Sequence, residues 1–225
     1  MAGPAPRGRV AAASVVGLTH NGGVTLVQPM LPLWDEPLPD HRHRAVAHVS
    51  DRVAWVRARS RGVTATDVAR LSSPAAVKSV VLEKLTGRSF GGNAYTDHGR
   101  EREPAIARWA HKEHGITPSA TLYHAHGNKL HLATPDGIRV TGTTVELCEI
   151  KTTVRGWRTI PRSYLRQVFW QQYVLGAERT LVVWEQHDDF VPVAAEPRCK
   201  WVDRDENEIH MLVHLADQVL AGMRP

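Results

Sequence analysis

The chain has 225 residues, with 28 Lys and Arg against 23 Asp and Glu for a formal net charge of +5 at pH 7. That length allows one domain with a substantial core, and no internal repeat marks a solenoid. The two cysteines, Cys148 and Cys199, exclude a disulfide framework and any four-cysteine metal centre and point to a reducing compartment. No apolar run of about 18 residues is available to cross a bilayer. The basic balance, with 13 histidines in reserve below neutral pH, favours a polyanionic partner.

Residues 1–44 differ in composition from the rest, being rich in Pro, Gly and Ala. They read as an N-terminal extension or arm, and residues 45–225 as the main domain. Val10 to Leu18 follow two arginines but are too short and too interrupted for a secretory leader. Val15 to Leu18 and Val24 to Val27 flank His20-Asn21-Gly22-Gly23 as a small hairpin would, before a Pro-rich segment that ends in DHRHR.

A helix is expected from Ser50 to about Arg59, with Trp55 inward and Arg57, Arg59 and Arg61 outward or toward a ligand. Gly62 stops it. Thr64 then caps a short helix, with Asp67 three residues on completing a capping box. Arginines beside a helix start suit a phosphate, and equally a solvated basic turn. Ser73-Pro74 opens a helix ending at Gly87, with Val77, Val80, Val81 and Leu85 at helical spacing. After a turn at Phe90-Gly91-Gly92-Asn93, TDHGREREPAIARWAHKEHG forms a helix ending at His114 with Gly115 as terminator. Pro104 should kink or restart it, leaving Glu103 at the bend, where it could reach a metal-bound water or simply pair with a neighbouring arginine. His111 and His114 in HKEH do not form the HExxH zinc pattern.

Strands follow at Thr121 to His126 and Lys129 to Ala133. Their three histidines, His124, His126 and His131, lack a fourth ligand at zinc spacing. The most informative stretch is ATPDGIRVTGTTVELCEIKTT, residues 133–153. Two alternating runs meet at Gly142-Thr143, so Val140 should face Val145, Ile138 should face Leu147 and Asp136 should face Glu149. Facing carboxylates repel, which a bound Mg2+ would relieve, and Lys151 returns to the same side two residues later. Those three groups suit metal-assisted phosphodiester chemistry; they equally fit a solvated surface hairpin, and this stretch alone leaves both open.

Arg155, Trp157 and Arg158 then form a basic, aromatic loop of the kind that lines nucleic-acid grooves. Pro161 opens a helix to about Leu175 with Tyr164, Val168, Gln171 and Leu175 on one stripe and Gln167 beside it. Strands are expected at Arg179 to Glu185 and Phe190 to Ala194, and a closing helix from Asp203 to about Leu220 that buries Ile209, Leu212, Val213, Ala216 and Leu220.

Five blocks in order, WVRARSRGVTATD, HGREREPA, TPDG, CEIK and YLRQ, resemble the lambda exonuclease and YqaJ-like viral recombinase branch of the PD-(D/E)xK nucleases. The resemblance covers roughly Trp55 to Gly222. It implies an α/β fold with a restriction-endonuclease-like core, a mixed central sheet of about five strands flanked by helices on both faces. It also implies a Mg2+-dependent deoxyribonuclease, with Mn2+ as a substitute ion, acting as a processive 5′-to-3′ exonuclease on double-stranded DNA. By that likeness Asp136, Glu149 and the Ile150 main-chain carbonyl hold metal, Glu103 acts through a water, Lys151 is the catalytic lysine, and Gln167 lies on the helix after the active-site sheet. Arg59, Thr66 and Thr134 would bind the 5′-phosphate, the two threonines standing where serine is usual and keeping the hydroxyl. Expected partners are double-stranded DNA ends, a single-strand annealing protein and two further copies in a trimeric ring, with no membrane. The expected setting is the cytoplasm of a bacterial host, with the gene carried by a phage or prophage. An endonuclease on the same core and a DNA-binding module without catalysis remain the alternatives. Related CRISPR-associated nucleases carry an iron–sulfur cluster on four cysteines, which this chain does not have.

Overall fold

In the computed structural model, described for residues 40–87 and 93–224, Pro39–Pro225 form one compact unit. The expected hairpin at His20–Gly23, the Pro-rich arm and most of the Phe90–Asn93 turn lie outside the described residues. The unit begins with a single turn, His41–Arg44. Arg44 is buried there, its guanidinium donating to the carbonyls of His124, Val174 and Leu175.

The elements follow in order: β1 (Ala45–His48), α1 (Arg52–Arg61), β2 (Val63–Thr64), α2 (Ala65–Val68), α3 (Pro74–Thr86) and α4 (Ala94–His114). Next come β3 (Thr117–Pro118), β4 (Thr121–His124), β5 (His131–Ala133), β6 (Gly137–Thr141) and β7 (Thr144–Thr153). The chain closes with α5 (Arg162–Leu175), β8 (Arg179–Asp188), β9 (Val191–Pro192), β10 (Arg198–Asp203) and α6 (Glu206–Gly222). Local chemistry sets most boundaries. Thr64 and Asp67 form the expected capping box, the Thr64 N–H donating to Asp67 Oδ2 at 2.8 Å. Ser73 caps α3 ahead of Pro74, and Gly115 and Gly176 end α4 and α5 with left-handed φ of 67° and 71°.

Two sheets result. A small one has the order β1-β4-β5-β2, and the main one runs β10-β8-β7-β6-β3, with β9 paired to β8. Only β7–β8 is parallel in the main sheet, and α5 makes the crossover that a parallel pair requires. Alternation along β7 sends Leu147 into a core with Phe169 and Trp170 of α5 and Ile209, Leu212 and Ala216 of α6. Cys148 and Ile150 point the other way, against Ile106, Ala107 and Ala110 of α4. The main sheet is thus mixed, with helices on both faces. Each fully buried side chain in these layers, Trp170 and Leu147 among them, contributes on the order of 1.5–3 kcal/mol.

Several expectations need correction. Pro104 does not restart α4, which stays helical from Ala94 to His114; one missing N–H donor leaves the bonds on either side intact. Leu85 is 61% exposed, so α3 packs on Val77 and Val80 alone among its fully buried positions. Trp55 is half-buried rather than inward, and α1 has no fully buried residue. The strand around β4 stops at His124 and its partner starts at His131, because Asn128 turns the chain and its side chain accepts the Leu130 N–H at 2.9 Å. The strand expected at Phe190 to Ala194 shrinks to Val191–Pro192, since Asp189 and Phe190 take left-handed φ of 45° and 66° in a two-residue hairpin loop. β10 has no counterpart among the expected strands, and the last helix starts after it, capped by Asp205.

Candidate active site

The β6–β7 ribbon has the register its sequence dictates. Val140 pairs with Val145, Ile138 with Leu147 and Thr141 with Thr144, leaving Gly142-Thr143 as the loop with Gly142 at φ 62°. The ladder runs to Gly137 opposite Cys148, and just beyond it the Asp136 N–H donates to the Cys148 carbonyl at 3.1 Å, which keeps Asp136 beside the stretch of β7 that bears Glu149. Gly137 sits where no side chain fits: a Cβ would lie 2.7 Å from Ile116 Cγ2 and 3.1 Å from Cys148 Cβ. That close packing carries the chain straight into Asp136.

Three charged groups meet at this end. Glu149 is 1% exposed, and its carboxylate is held by neighbouring side chains. Oε1 accepts from the Lys151 ammonium and from the Gln167 amide, and Oε2 accepts from the Gln171 amide at 2.6 Å. Asp136 Oδ2 accepts the Ile150 N–H at 2.6 Å, which ties the side chain to the strand bearing Glu149. Burial raises the Asp136 carboxyl well above the usual range, helped by the charges of Glu149 and Glu103 and opposed by Lys151. Lys151 rises despite burial, because Glu149 and Asp136 hold its proton, and its ammonium lies 5.2 Å from the centre of the Tyr164 ring.

Glu103 approaches from the opposite layer. Gly99 lets α4 come close to the end of β7, since a Cβ there would meet Thr152 Oγ1 at 3.3 Å; Glu103 follows one turn later on the same helix face. The Glu103 side chain keeps contact with solvent, yet surrounding protein and then Glu149 raise its carboxyl while Lys151 lowers it. Asp136, Glu149, Lys151, Glu103 and Gln167 therefore share one electrostatic neighbourhood. Ile150 lies between Glu149 and Lys151, with its N–H committed to Asp136.

The residues expected at a phosphate are placed along one edge. Parallel pairing of Val63 with His131 and Thr64 with Leu132 brings the start of α2, with Thr66, beside the end of β5 and Thr134. Thr66 is exposed, and the buried Thr134 hydroxyl has no hydrogen-bond partner among the described residues. Thr134 is two residues from Asp136. Arg59 lies with its guanidinium 4.2 Å from the Trp55 ring centre; burial lowers its pKa, and Asp67 counteracts part of that. No hydrogen bond joins Arg59 to either threonine among the described residues.

The donor set suits a hard cation of the Mg2+ class. Such an ion needs only one or two carboxylates and keeps water in its other positions. Asp136 and Glu149 are two acids at the end of one ribbon whose mutual repulsion a cation would relieve. Among the described residues no group of three His, Cys, Asp or Glu side chains lies close enough together to hold a metal ion. Of the strand histidines, His131 is buried and bonded to Tyr173 and Asn128, and His124 to a main-chain carbonyl.

Gln171 is the contact of the candidate site that sequence reasoning misreads. Helical spacing places it on the apolar stripe of α5, and it does lie there, but its amide serves Glu149. The signal available is the spacing of Gln167 and Gln171, four residues apart on one helix face.

The family profile described as "YqaJ-like viral recombinase domain" matches residues 54–178. No curated protein sequence gives a significant match. Among solved structures, an alkaline exonuclease (LHK-Exo) from Laribacter hongkongensis is similar at 24% identity and a TM-score of 0.58, over 75% of this chain and 91% of that one. LHK-Exo in complex with dAMP matches at 23% identity and 0.59, with the same coverage. A phage-related exonuclease from Haemophilus somnus 129PT matches at 13% identity and 0.56, over 72% of this chain and 93% of that one. At these identities the solved structures establish a shared fold.

Proposed function

Because the chain belongs to the YqaJ-like viral recombinase family, we propose that it is a divalent-cation-dependent deoxyribonuclease that degrades double-stranded DNA from its ends, processively and in the 5′-to-3′ direction, during phage-type recombination. The observation that carries this reading is the convergence of Asp136, Glu149 and Lys151 at the end of the β6–β7 ribbon. The exonuclease names of the similar structures support it.

Asp136, Glu149 and the Ile150 carbonyl would hold Mg2+, with Mn2+ as a substitute. When bound, the ion would act as a Lewis acid on the phosphate and lower the pKa of water. The chain's own residues do the rest. Lys151 offers an ammonium to the negative charge that grows on the phosphate oxygens as water attacks. It stays protonated because Glu149 and Asp136 favour its charged form. Glu103, with its raised carboxyl, orients water at the α4 side of the site. Gln167 holds Glu149 Oε1 alongside Lys151. Arg59, Thr66 and Thr134 would receive the 5′-phosphate, the Thr134 hydroxyl, which has no partner among the described residues, offering a donor to one of its oxygens. A ring of three copies and an annealing partner belong to the same reading.

The test uses end-labelled linear DNA and covalently closed circular DNA, each with Mg2+ and with EDTA. Mg2+-dependent release of mononucleotides from linear DNA, with circles intact, supports the proposal. Cleavage of closed circles would assign the same core to an endonuclease, and binding without cleavage would mark a module without catalysis.

A further inference from the structure

A carboxylate offers four acceptor directions, two on each oxygen. On Glu149, Oε1 has spent both, on Lys151 and Gln167, whereas Oε2 has spent one, on Gln171. The one acceptor direction left on this side chain is therefore on Oε2. Gln171 is the sole hydrogen-bond donor to that oxygen among the described residues, so it decides where the free direction points.

The site around Gln171 is built for that purpose rather than for packing. Gln171 is 0% exposed, and its own Oε1 is buried with no partner among the described residues. An unpaired buried amide oxygen is unfavourable, and leucine or methionine would fill the same volume without it. The neighbouring α5 positions are packed as well: Val168, Phe169, Trp170 and Val174 are buried, and the Trp170 indole N–H donates to Leu132 O at 2.9 Å. Gln167, one turn earlier, is only half-buried and shares Glu149 Oε1 with Lys151, whereas Gln171 is fully buried and holds Oε2 alone among the described residues.

We infer that Gln171 is a positioning residue: by fixing Glu149 Oε2 it aims the remaining lone pair of that oxygen into the space shared with Asp136, where the cation would bind. This rests on the reading of Asp136 and Glu149 as cation ligands. Gln171 touches neither substrate nor ion. It acts through Glu149, as the outer hydrogen-bond partners of metal ligands generally do.

The experiment measures Mn2+ binding to the full chain without DNA, from the signal of free Mn2+ in electron paramagnetic resonance, for the parent, Gln171→Met and Gln171→Asn. Methionine keeps the volume and loses the donor; asparagine keeps the amide but is one methylene too short. Thermal melts establish that each variant is folded, and the asparagine variant decides the question if the methionine variant fails to fold. The expected result is a 10–100-fold weaker Mn2+ Kd in the variants. Turnover at limiting Mg2+ should fall, with KM for DNA ends unchanged and kcat recovering at high Mg2+. A folded variant that binds Mn2+ within about twofold of the parent overturns the positioning role and leaves the cation site standing. A parent that binds no Mn2+ removes the cation site itself, and the inference with it.

Discussion

Asp136→Asn should stabilise the protein while it destroys activity, provided no divalent cation is present. The Asp136 carboxylate is confined by protein, faces Glu149 and Glu103, and accepts one main-chain hydrogen bond from Ile150 at 2.6 Å. Asparagine keeps that bond through its carbonyl oxygen but loses its charge-assisted strength, a cost of about 1 kcal/mol. At a pH above the raised pKa of Asp136, where the carboxylate is ionised, it removes a desolvated charge and two like-charge repulsions and gives up one attraction, to Lys151. Because burial and repulsion outweigh Lys151 in the intact site, the balance favours asparagine. Relief of such a functional compromise is commonly worth roughly 0.5–2 kcal/mol. For a domain of this size each kcal/mol moves Tm by about 2–4 °C, so the gain should be on the order of 1–8 °C. Calorimetric melts in EDTA and then in Mg2+ provide the assay. The variant should melt higher in EDTA, and Mg2+ should raise the parent selectively, narrowing or reversing the order. A variant that melts below the parent in EDTA would refute the idea that repulsion is stored between these acids.

Lys151→Ala should reduce turnover by at least about 100-fold and leave binding of linear DNA within a few-fold of the parent; a variant that digests DNA at the parental rate would remove the lysine from the mechanism. Arg59→Ala should slow digestion of 5′-phosphorylated ends selectively, and an equal effect on 5′-hydroxyl ends would count against a phosphate pocket. Gly137→Ala drives a Cβ into Ile116 and Cys148 and should destabilise the fold by about 1–3 kcal/mol in denaturant titrations. At the far end of the sheet, burial alone would raise the Glu146 carboxyl, but hydrogen bonds from Arg179 and Arg139 outweigh it and hold it below its ordinary range. A lowered carboxyl stabilises above its unfolded pKa and ceases to do so as pH falls through the folded value. Glu146→Gln should therefore cost roughly 1–2 kcal/mol at pH 7, with both arginines partly exposed, and the difference from the parent should vanish in acid; a pH-independent difference would contradict the ion pairs.

The ribbon was readable because its information is local. Alternation with period two and a glycine at the loop fix one register, and a one-residue slip would bury Glu146 and Cys148 on the wrong face. The capping box at Thr64 and Asp67 and the terminators Gly87 and Gly115 were legible for the same reason. β10 was not, because RCKWVD is a charged edge strand whose only evidence is its pairing with β8, set by contacts distant in sequence. Nor could the division into two sheets be read, since β2 pairs with β5 across more than sixty residues. Helical periodicity placed Gln171 on the buried stripe of α5 without revealing why a polar amide belongs there. The reason is Glu149, 22 residues earlier on a different element. In Pro104 the local rule was outvoted by the packing of Ile106, Ala107 and Ala110 on the sheet, which holds α4 together across the missing bond.

The account stands on a divalent cation held between the acids of one ribbon, and a crystal grown or soaked with Mn2+ tests that by anomalous scattering. The account predicts one strong peak about 2.0–2.3 Å from carboxylate oxygens of both Asp136 and Glu149. Well-ordered density for both side chains with no peak between them, or with Mn2+ bound elsewhere, would contradict it.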